Sequence, residues 1–542
     1  MDRAPRTEPW NRATALERLR AEVFDVLVVG GGVTGAGVAR DAALRGLAVA
    51  LVEAGDWGAG TSSRTTKFAH GGLRYLEHFD IGLVRSALRE RAVLLSIAPH
   101  LTRATPFLLP VYAGRSRPSW ELRTGLWLYD ALSGATRLGR HRMLDADGAG
   151  IREPLLSLRG LRGAGVYWDA RVRDARLVVE TVADARRAGA VAASYCAVGD
   201  VDRGDGGWEV EALDRRAGER FGVRADVCVS ASGPWTDRLR RRVAPRREPL
   251  LSPTKGVHCT LPRERLPLRD PTALFAGDGR LYFAVPEGPW TYIGTTDTTG
   301  TGDVDDLAPS TEDIRYLLDA TAGALAAPIA LDDVVGAWAG WRPLVRDRSR
   351  KDPGAISRDE IVEATAPGFW TVAGGKLTTY RAMAEEVVDR LVEERGLEAD
   401  RCVTARRPLV PAELGGEGPP AGSDPDAVAR VRELFGPDAD DVFARWRADP
   451  AAAEPLGPDF PYSAAEVDRA AREMIETLDD LVDRRLLALP GGIPIDSATL
   501  GRVAEAAAPV LGWDPGRQDA EIARFREGAE RWPARPAVSG GV

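Results

Sequence analysis

Residues 24–53, F-D-V-L-V-V-G-G-G-V-T-G-A-G-V-A-R-D-A-A-L-R-G-L-A-V-A-L-V-E, constrain this chain more than any other stretch. Val26 to Val29 is an unbroken apolar run, which suits a strand buried on both faces. Gly30, Gly32 and Gly35 then give G-x-G-x-x-G, with Val33 and Thr34 between the last two glycines. A run of small residues follows as a helix, and Gly46 is placed to end it. Residues 47–52 make a second strand, closed by Glu53. Gly30 permits a tight turn, Gly32 lets a pyrophosphate approach the backbone, and Gly35 lets the helix pack on the sheet with its N-terminus towards the phosphates. Glu53 stands where a carboxylate accepts from ribose hydroxyls. A bare G-x-G-x-x-G is weak evidence, and the competing reading is a Gly-rich turn in some other α/β unit. The full strand–turn–helix–strand–acid context makes the stretch a dinucleotide-binding unit.

A chain of 542 residues has room for two or more domains and ample core. A formal net charge of -8 argues against a general nucleic-acid binder. Cys196, Cys228, Cys259 and Cys402 are scattered with no C-x-x-C pair, which disfavours a zinc or iron–sulfur site and fits a reducing cytoplasm. Residues 1–22 are polar and do not read as a signal peptide, and no stretch approaches the ~20 apolar residues that span a bilayer. Any membrane contact is therefore expected to be peripheral.

Downstream of the nucleotide unit, residues 55–77 read G-D-W-G-A-G-T-S-S-R-T-T-K-F-A-H-G-G-L-R-Y-L-E. A glycine- and hydroxyl-rich loop straight after the ribose acid can wrap a cofactor's phosphates and reach its reactive ring. A solvated surface loop of the same composition is the bland alternative. Residues 81–97 have helical periodicity, residues 107–140 read as an excursion from the sheet, and residues 166–182 read as a strand followed by a helix. Residues 191–226 alternate as a meander around the turn at 204–207, and 227–235 form a buried strand ending in Gly233-Pro234. Residues 237–247 hold six arginines, read as a solvated helix face or, more sharply, as a contact for anionic lipid headgroups. Strands at 282–285 and 292–296 belong to a second, mostly antiparallel sheet, and Ser310 starts a helix. Residues 369–381, F-W-T-V-A-G-G-K-L-T-T-Y-R, repeat the pattern of strand, glycine turn and helix start. Residues 411–459 are rich in Pro, Gly, Ala and acid, and a helical domain follows behind this linker, with no catalytic constellation in it.

Taken together, these runs resemble the FAD-dependent glycerol-3-phosphate dehydrogenase family, the aerobic, respiratory type. The matching runs include G-T-S-S-R-T-T-K-F-A-H-G-G-L-R-Y-L-E, A-P-H-L, Y-W-D-A-R-V-R-D-A-R-L, S-G-P-W, K-G-V-H, I-G-T-T-D, G-W-R-P-L and G-G-K-L-T-T-Y-R, in order across residues 24–390. Phe68-Ala69 departs from the bulkier aliphatic pair usual before His-Gly-Gly, and the helical tail matches only loosely. The resemblance implies an α/β fold with a Rossmann-like FAD-binding domain, an interleaved antiparallel-sheet substrate domain and a C-terminal helical domain. The segments assigned are an arm at 1–23; an FAD-binding domain at 24–105, 160–250 and 335–395; a cap at 106–159 and 251–334; and the tail at 400–542.

It also implies oxidation of sn-glycerol 3-phosphate to dihydroxyacetone phosphate by hydride transfer from C2 to the flavin N5. FAD would lie against Gly30, Gly32, Val33, Thr34, Gly35, Glu53, Thr61, Ser62, Ser63, Lys67, Gly71, Gly233, Gly374, Gly375, Lys376, Leu377 and Thr378. Arg342 and Arg358 are the implied phosphate anchors, because a planar guanidinium meets phosphate with two bonds, and Arg74 and Tyr75 support them. Lys376 would bind the substrate oxygen and steady the reduced flavin, and Asp297 would orient an arginine or accept a proton. His70 is the candidate general base, with a structural role under the flavin as the equal alternative. The implied acceptor is ubiquinone or menaquinone at a peripheral site on the cytoplasmic membrane, and a homodimer is compatible with the family. The alternatives are an oxidase using oxygen and releasing hydrogen peroxide, an amine or amino-acid oxidase on the same scaffold, and a non-catalytic flavin-binding module. A nicotinamide enzyme fits less well, because Glu53 plus the long T-S-S-R-T-T-K wrap suits FAD.

Overall fold

The strand Val23–Val29 is fully sandwiched, as its apolar run requires, and pairs in parallel with Val49–Val52 on one side and Arg220–Ser230 on the other. Val191–Ala193 and Phe369–Gly374 extend the parallel sheet at its two ends, and Glu360–Ala366 closes one edge antiparallel. This is a computed structural model, and it describes residues 10–530 apart from 115–117, 205, 301–302, 347–355, 358–359, 411–416, 487–488 and 490–493. The hairpin Cys196–Gly204 and Gly207–Asp214 leads into Arg220–Ser230 as the expected meander.

The helix Val33–Leu44 packs against this sheet through small side chains. An added Cβ at Gly35 would stand 1.8 Å from the Gly30 carbonyl oxygen, and one at Gly37 would stand 2.9 Å from the Tyr380 ring. Glycine at these positions is therefore a packing requirement, imposed by the sheet and by the helix Tyr380–Arg395. The helix Asp174–Arg187 flanks it on the other side, tied by the buried pair Arg40–Asp184 at 2.8 Å.

The second sheet is built on the long antiparallel pair Thr102–Tyr112 and Leu161–Val172. Thr254–Pro262, Trp290–Gly294, Leu281–Glu287 and Gly336–Arg342 complete its substrate-facing part. Its pairings are antiparallel except for one parallel bridge between Thr272 and Leu108. Sheet membership thus divides the chain differently from the segments assigned above. Residues 161–172 and 336–342 belong to the second sheet, because their backbone ladders run to 102–112 and 254–262. Residues 107–112, read as part of an excursion, are the end of a strand, and the excursion proper is the helix Ser119–Ser133.

The C-terminal part has its own apolar core around Phe435, Phe443, Trp446, Phe460 and Leu481. Its first helices, Pro425–Phe435 and Ala439–Ala448, lie inside the stretch read as a linker. There Pro425 and Gly436 start and stop a helix rather than break one. Among the described residues, no helix is long and apolar enough to cross a membrane. Within 237–247, Arg238 faces Asp303 and Asp305, Arg240 and Arg247 face Glu363, and Arg242 faces Asp200. For these four of the six arginines the chain itself supplies the counter-ion.

Candidate active site

The turn 30–32 leaves the end of its strand with Gly30 at φ 111°, a conformation only glycine takes at no cost. Gly32 then stands as N-cap of the helix without a side chain of its own. The cap is borrowed: Ser62 Oγ accepts the Val33 N–H at 2.9 Å. Glu53 is pinned from both sides, one carboxylate oxygen accepting the Gly31 N–H at 2.6 Å and the other the Gly55 N–H at 2.8 Å. Burial pushes its carboxyl up, and the backbone N–H groups of Gly55 and Gly31 pull against that. Thr61 Oγ1 donates to the Trp341 carbonyl at 2.7 Å, so the hydroxyl-rich loop closes over towards the second sheet. A glycine turn at a helix start, a half-buried acid clamped on that turn and a loop of hydroxyls together fit FAD.

Across the fold, the second glycine turn meets the His-Gly-Gly loop. Gly374 and Gly375 take φ of 76° and 77°, and Thr378 Oγ1 donates to the His70 carbonyl at 3.2 Å. Lys376 places Nζ 3.6 Å from the centre of the Tyr75 ring, a cation–π contact. The two glycine-bearing motifs, about 300 residues apart in sequence, thus meet in the fold.

His70 also lines a cavity of ≈ 860 Å³ whose walls include Arg74, Tyr75, Asp169, Asp297 and Arg342. His70 presents Nδ1 to the buried carboxylate of Asp169 at 3.4 Å and stacks on Phe283 at 5.3 Å between ring centres. Asp169 is a hub: its Oδ1 also accepts from the Gly71 N–H at 2.9 Å, Arg91 at 2.8 Å and the Tyr129 hydroxyl at 2.8 Å. Burial works against its charge, but the contact with His70, the Arg91 guanidinium and the Gly71 N–H prevail and hold the carboxyl below its usual range. Asp169 therefore stays ionised and faces the imidazole.

Arg342 closes the strand Gly336–Arg342 at the cavity. Its guanidinium donates to Asp297 Oδ1 at 3.2 Å, to Thr295 Oγ1 at 3.0 Å and to the Thr296 carbonyl at 3.0 Å. Asp297 thus orients an arginine, one of its two expected roles. Arg74 and Tyr75 line the same cavity from the turn Leu73–His78. Arg358 lies outside the described residues.

Lys67 and Gly233 take positions that sequence reasoning did not specify. Lys67 is buried with φ 64° and spends its ammonium on Asp174 at 2.8 and 2.9 Å and on the Ser63 carbonyl. Burial, more than anything, lowers its pKa, against the pull of Asp174. Lys67 therefore ties the loop to the helix headed by Asp174. Gly233, at φ 54°, opens the turn Gly233–Trp235 beyond the strand Arg220–Ser230.

Asp169, Asp174, Arg91 and Thr295 escaped selection. Asp169 and Asp174 lie within Y-W-D-A-R-V-R-D, and a signal existed: two acids five residues apart beside a predicted strand end. Arg91 reads as one more polar position on an amphipathic helix, and only the fold brings it to Asp169.

A family profile described as FAD dependent oxidoreductase matches residues 25–390, and one described as the C-terminal domain of alpha-glycerophosphate oxidase matches residues 373–518. The chain is 36% identical over 552 residues to a probable mitochondrial glycerol-3-phosphate dehydrogenase of Caenorhabditis elegans, covering 97% of this chain and 76% of that one. It is 38% identical over 437 residues to an aerobic glycerol-3-phosphate dehydrogenase of Staphylococcus saprophyticus, covering 79% and 77%. Among solved structures, the glycerol-3-phosphate dehydrogenase of Bacillus halodurans complexed with FAD superposes with a TM-score of 0.76 at 29% identity, covering 96% of this chain and 97% of that one. With the cradle, the cavity and the matched length agreeing, the chain belongs to the FAD-dependent glycerol-3-phosphate dehydrogenase family.

Proposed function

We propose that this protein oxidises sn-glycerol 3-phosphate to dihydroxyacetone phosphate and passes the electrons to a membrane quinone. The observation that carries the reading is one cavity lined both by a braced guanidinium, Arg342, and by a carboxylate-backed imidazole, His70. FAD, when bound, supplies the two-electron acceptor for the C2 hydride. The chain's own residues do the rest. Arg342 keeps its fork aimed by Asp297 and Thr295, and with Arg74 and Tyr75 it receives the phosphate. With Nδ1 facing an ionised Asp169, the ring proton belongs on Nδ1 and Nε2 is left to accept the C2 hydroxyl proton. The imidazolium that results is stabilised by the same carboxylate.

The quinone part rests on the outer cavity. Its lining passes from the cationic end to Leu122, Leu128, Phe275 and Leu281. At its rim Phe79 and Trp120 are 84% and 70% exposed. An apolar path bordered by protruding aromatic rings suits an acceptor carried in lipid and a peripheral seat on the bilayer surface.

Anaerobic mixing with glycerol 3-phosphate, followed by quinone or by oxygen, tests both parts. Flavin bleaching by glycerol 3-phosphate and rapid reoxidation by quinone are expected. Bleaching by small amino acids instead would overturn the substrate. Stoichiometric hydrogen peroxide with no rate gain from quinone would overturn the acceptor.

A further inference from the structure

We infer that the C-terminal helical domain holds the cofactor cradle in its binding shape, with Arg485 acting through Asp56 as a positioning pair. The loop that follows the ribose acid carries the contact. Asp56 is 1% exposed and accepts two parallel bonds from Arg485, Nη1 to Oδ2 and Nη2 to Oδ1, both at 2.8 Å. Arg485 is equally buried, and its remaining donors go to the Glu473 and Met474 carbonyls at 3.0 Å. Arg484 adds a further bond to Asp56 and one at 2.7 Å to Asp480. Asp480 in turn accepts from the Tyr195 hydroxyl at 2.8 Å and from the backbone of Glu476 and Thr477 at 3.0 Å. Two guanidinium groups and two carboxylates are thus matched and bonded, the condition under which buried charge holds a geometry rather than loosening it.

The pair sits among residues 53–58, which touch the glycine turn on both sides of Asp56. Three positions before Asp56, Glu53 holds the Gly31 N–H. One position after it, the buried Trp57 ring occupies the space over Gly31, 2.5 Å from where a Cβ would be. Gly58 N–H closes the ring of contacts on the Gly31 carbonyl at 2.9 Å. The turn that must meet the pyrophosphate is therefore backed by a loop whose only buried acid is held by the C-terminal domain among the described residues. Other ties across the same junction, such as Arg173–Glu433 at 2.8 Å, join the domains elsewhere and leave the glycine turn untouched.

The test is a titration of apoprotein with FAD, followed by flavin fluorescence, on full-length variants. Asp56→Asn keeps the shape and removes the charge, and Arg485→Lys keeps the charge and removes the fork. Both are expected to weaken FAD binding tenfold or more, with the KM for glycerol 3-phosphate unchanged at saturating FAD. Arg430→Met is the control: it breaks the two-bond pair with Glu466, at 2.9 and 3.1 Å, inside the C-terminal domain and away from the cradle. It should lower the melting temperature and leave FAD affinity as in the wild type. Unchanged FAD affinity in Asp56→Asn, or an equal loss in Arg430→Met, would overturn the inference.

Discussion

His70 Nδ1 lies 3.4 Å from Asp169 Oδ2, and Asp169 is fixed on its other oxygen by Arg91, Tyr129 and the Gly71 N–H. The carboxylate therefore cannot turn away from the ring without breaking bonds in a buried site. Asp169→Asn would leave the contact geometry but remove the charge that sets the tautomer and balances the imidazolium. The rate of flavin reduction should fall by about 10²–10⁴-fold, the scale of a lost acid–base contribution, with little change in substrate Kd. Stopped-flow reduction measured over a pH series reads both quantities. His70→Asn should give a loss of similar size, and an unchanged rate would remove the histidine from the reaction.

Arg342 is aimed by three acceptors, so its replacement separates charge from direction. Arg342→Met removes two donors to a dianion and should lower kcat/KM by roughly 10²- to 10⁴-fold, the equivalent of two charged hydrogen bonds. Asp297→Asn leaves Thr295 and the Thr296 carbonyl to aim the fork and should cost less. Steady-state kinetics with glycerol 3-phosphate and inhibition by inorganic phosphate measure the pair. Equal effects of the two variants would mean that Asp297 touches substrate itself.

His258 gives a pH signature of the fold. Its ring stacks on Trp338 at 4.6 Å and shares a 3.1 Å hydrogen bond with Thr66. Burial, and then the charges of Arg342 and Lys67, hold its pKa well below the usual histidine value. Below about pH 6.5 the unfolded chain takes up a proton that the folded chain refuses, so stability falls as pH drops from that value towards the depressed one. One proton corresponds to about 1.4 kcal/mol per pH unit. Thermal melts of wild type and His258→Gln between pH 7.5 and 5.5 should diverge with this sign, the variant showing the shallower fall.

The same substitution should act oppositely at two glycines. Gly35→Ala forces a methyl to 1.8 Å from the Gly30 oxygen, so the helix must lift from the sheet at a cost of about 1–3 kcal/mol, and flavin content on purification should drop. Gly501 lies within the helix Ser497–Leu511 with nothing inside 4 Å of an added Cβ. There alanine should raise stability by about 0.5–1 kcal/mol and leave flavin content alone.

The nucleotide unit was legible from residues alone, because its glycines are demanded by backbone geometry within one short span. Gly30 and Gly35 carry their reason locally, and so does Glu53. The meander around 204–207 was legible for the same cause. What the sequence hid were relations made by long ladders. Leu161–Val172 reads as a strand in any sheet, and only its pairing with Thr102–Tyr112 assigns it to the substrate side. Asp169 stands in a recognisable motif, but nothing nearby in sequence reveals that His70 and Arg91 converge on it. Lys67 was read as reaching the cofactor from its place in a hydroxyl-rich run. Its ion-pair partner, Asp174, stands 107 residues further along the chain.

The strand that carries Asp169 turns at residue 173 straight into the helix headed by Asp174, which holds Thr65 and Lys67 of the hydroxyl loop. One uninterrupted span thus delivers both the carboxylate that faces His70 and the carboxylate that holds Thr65 and Lys67 of the hydroxyl-rich loop. The two cannot drift apart by evolution of either alone, since adding or deleting a residue between positions 169 and 174 would put both out of phase at once. Length variation in a lineage of such enzymes should accumulate at hairpin tips like 288–289 and spare this five-residue spacing.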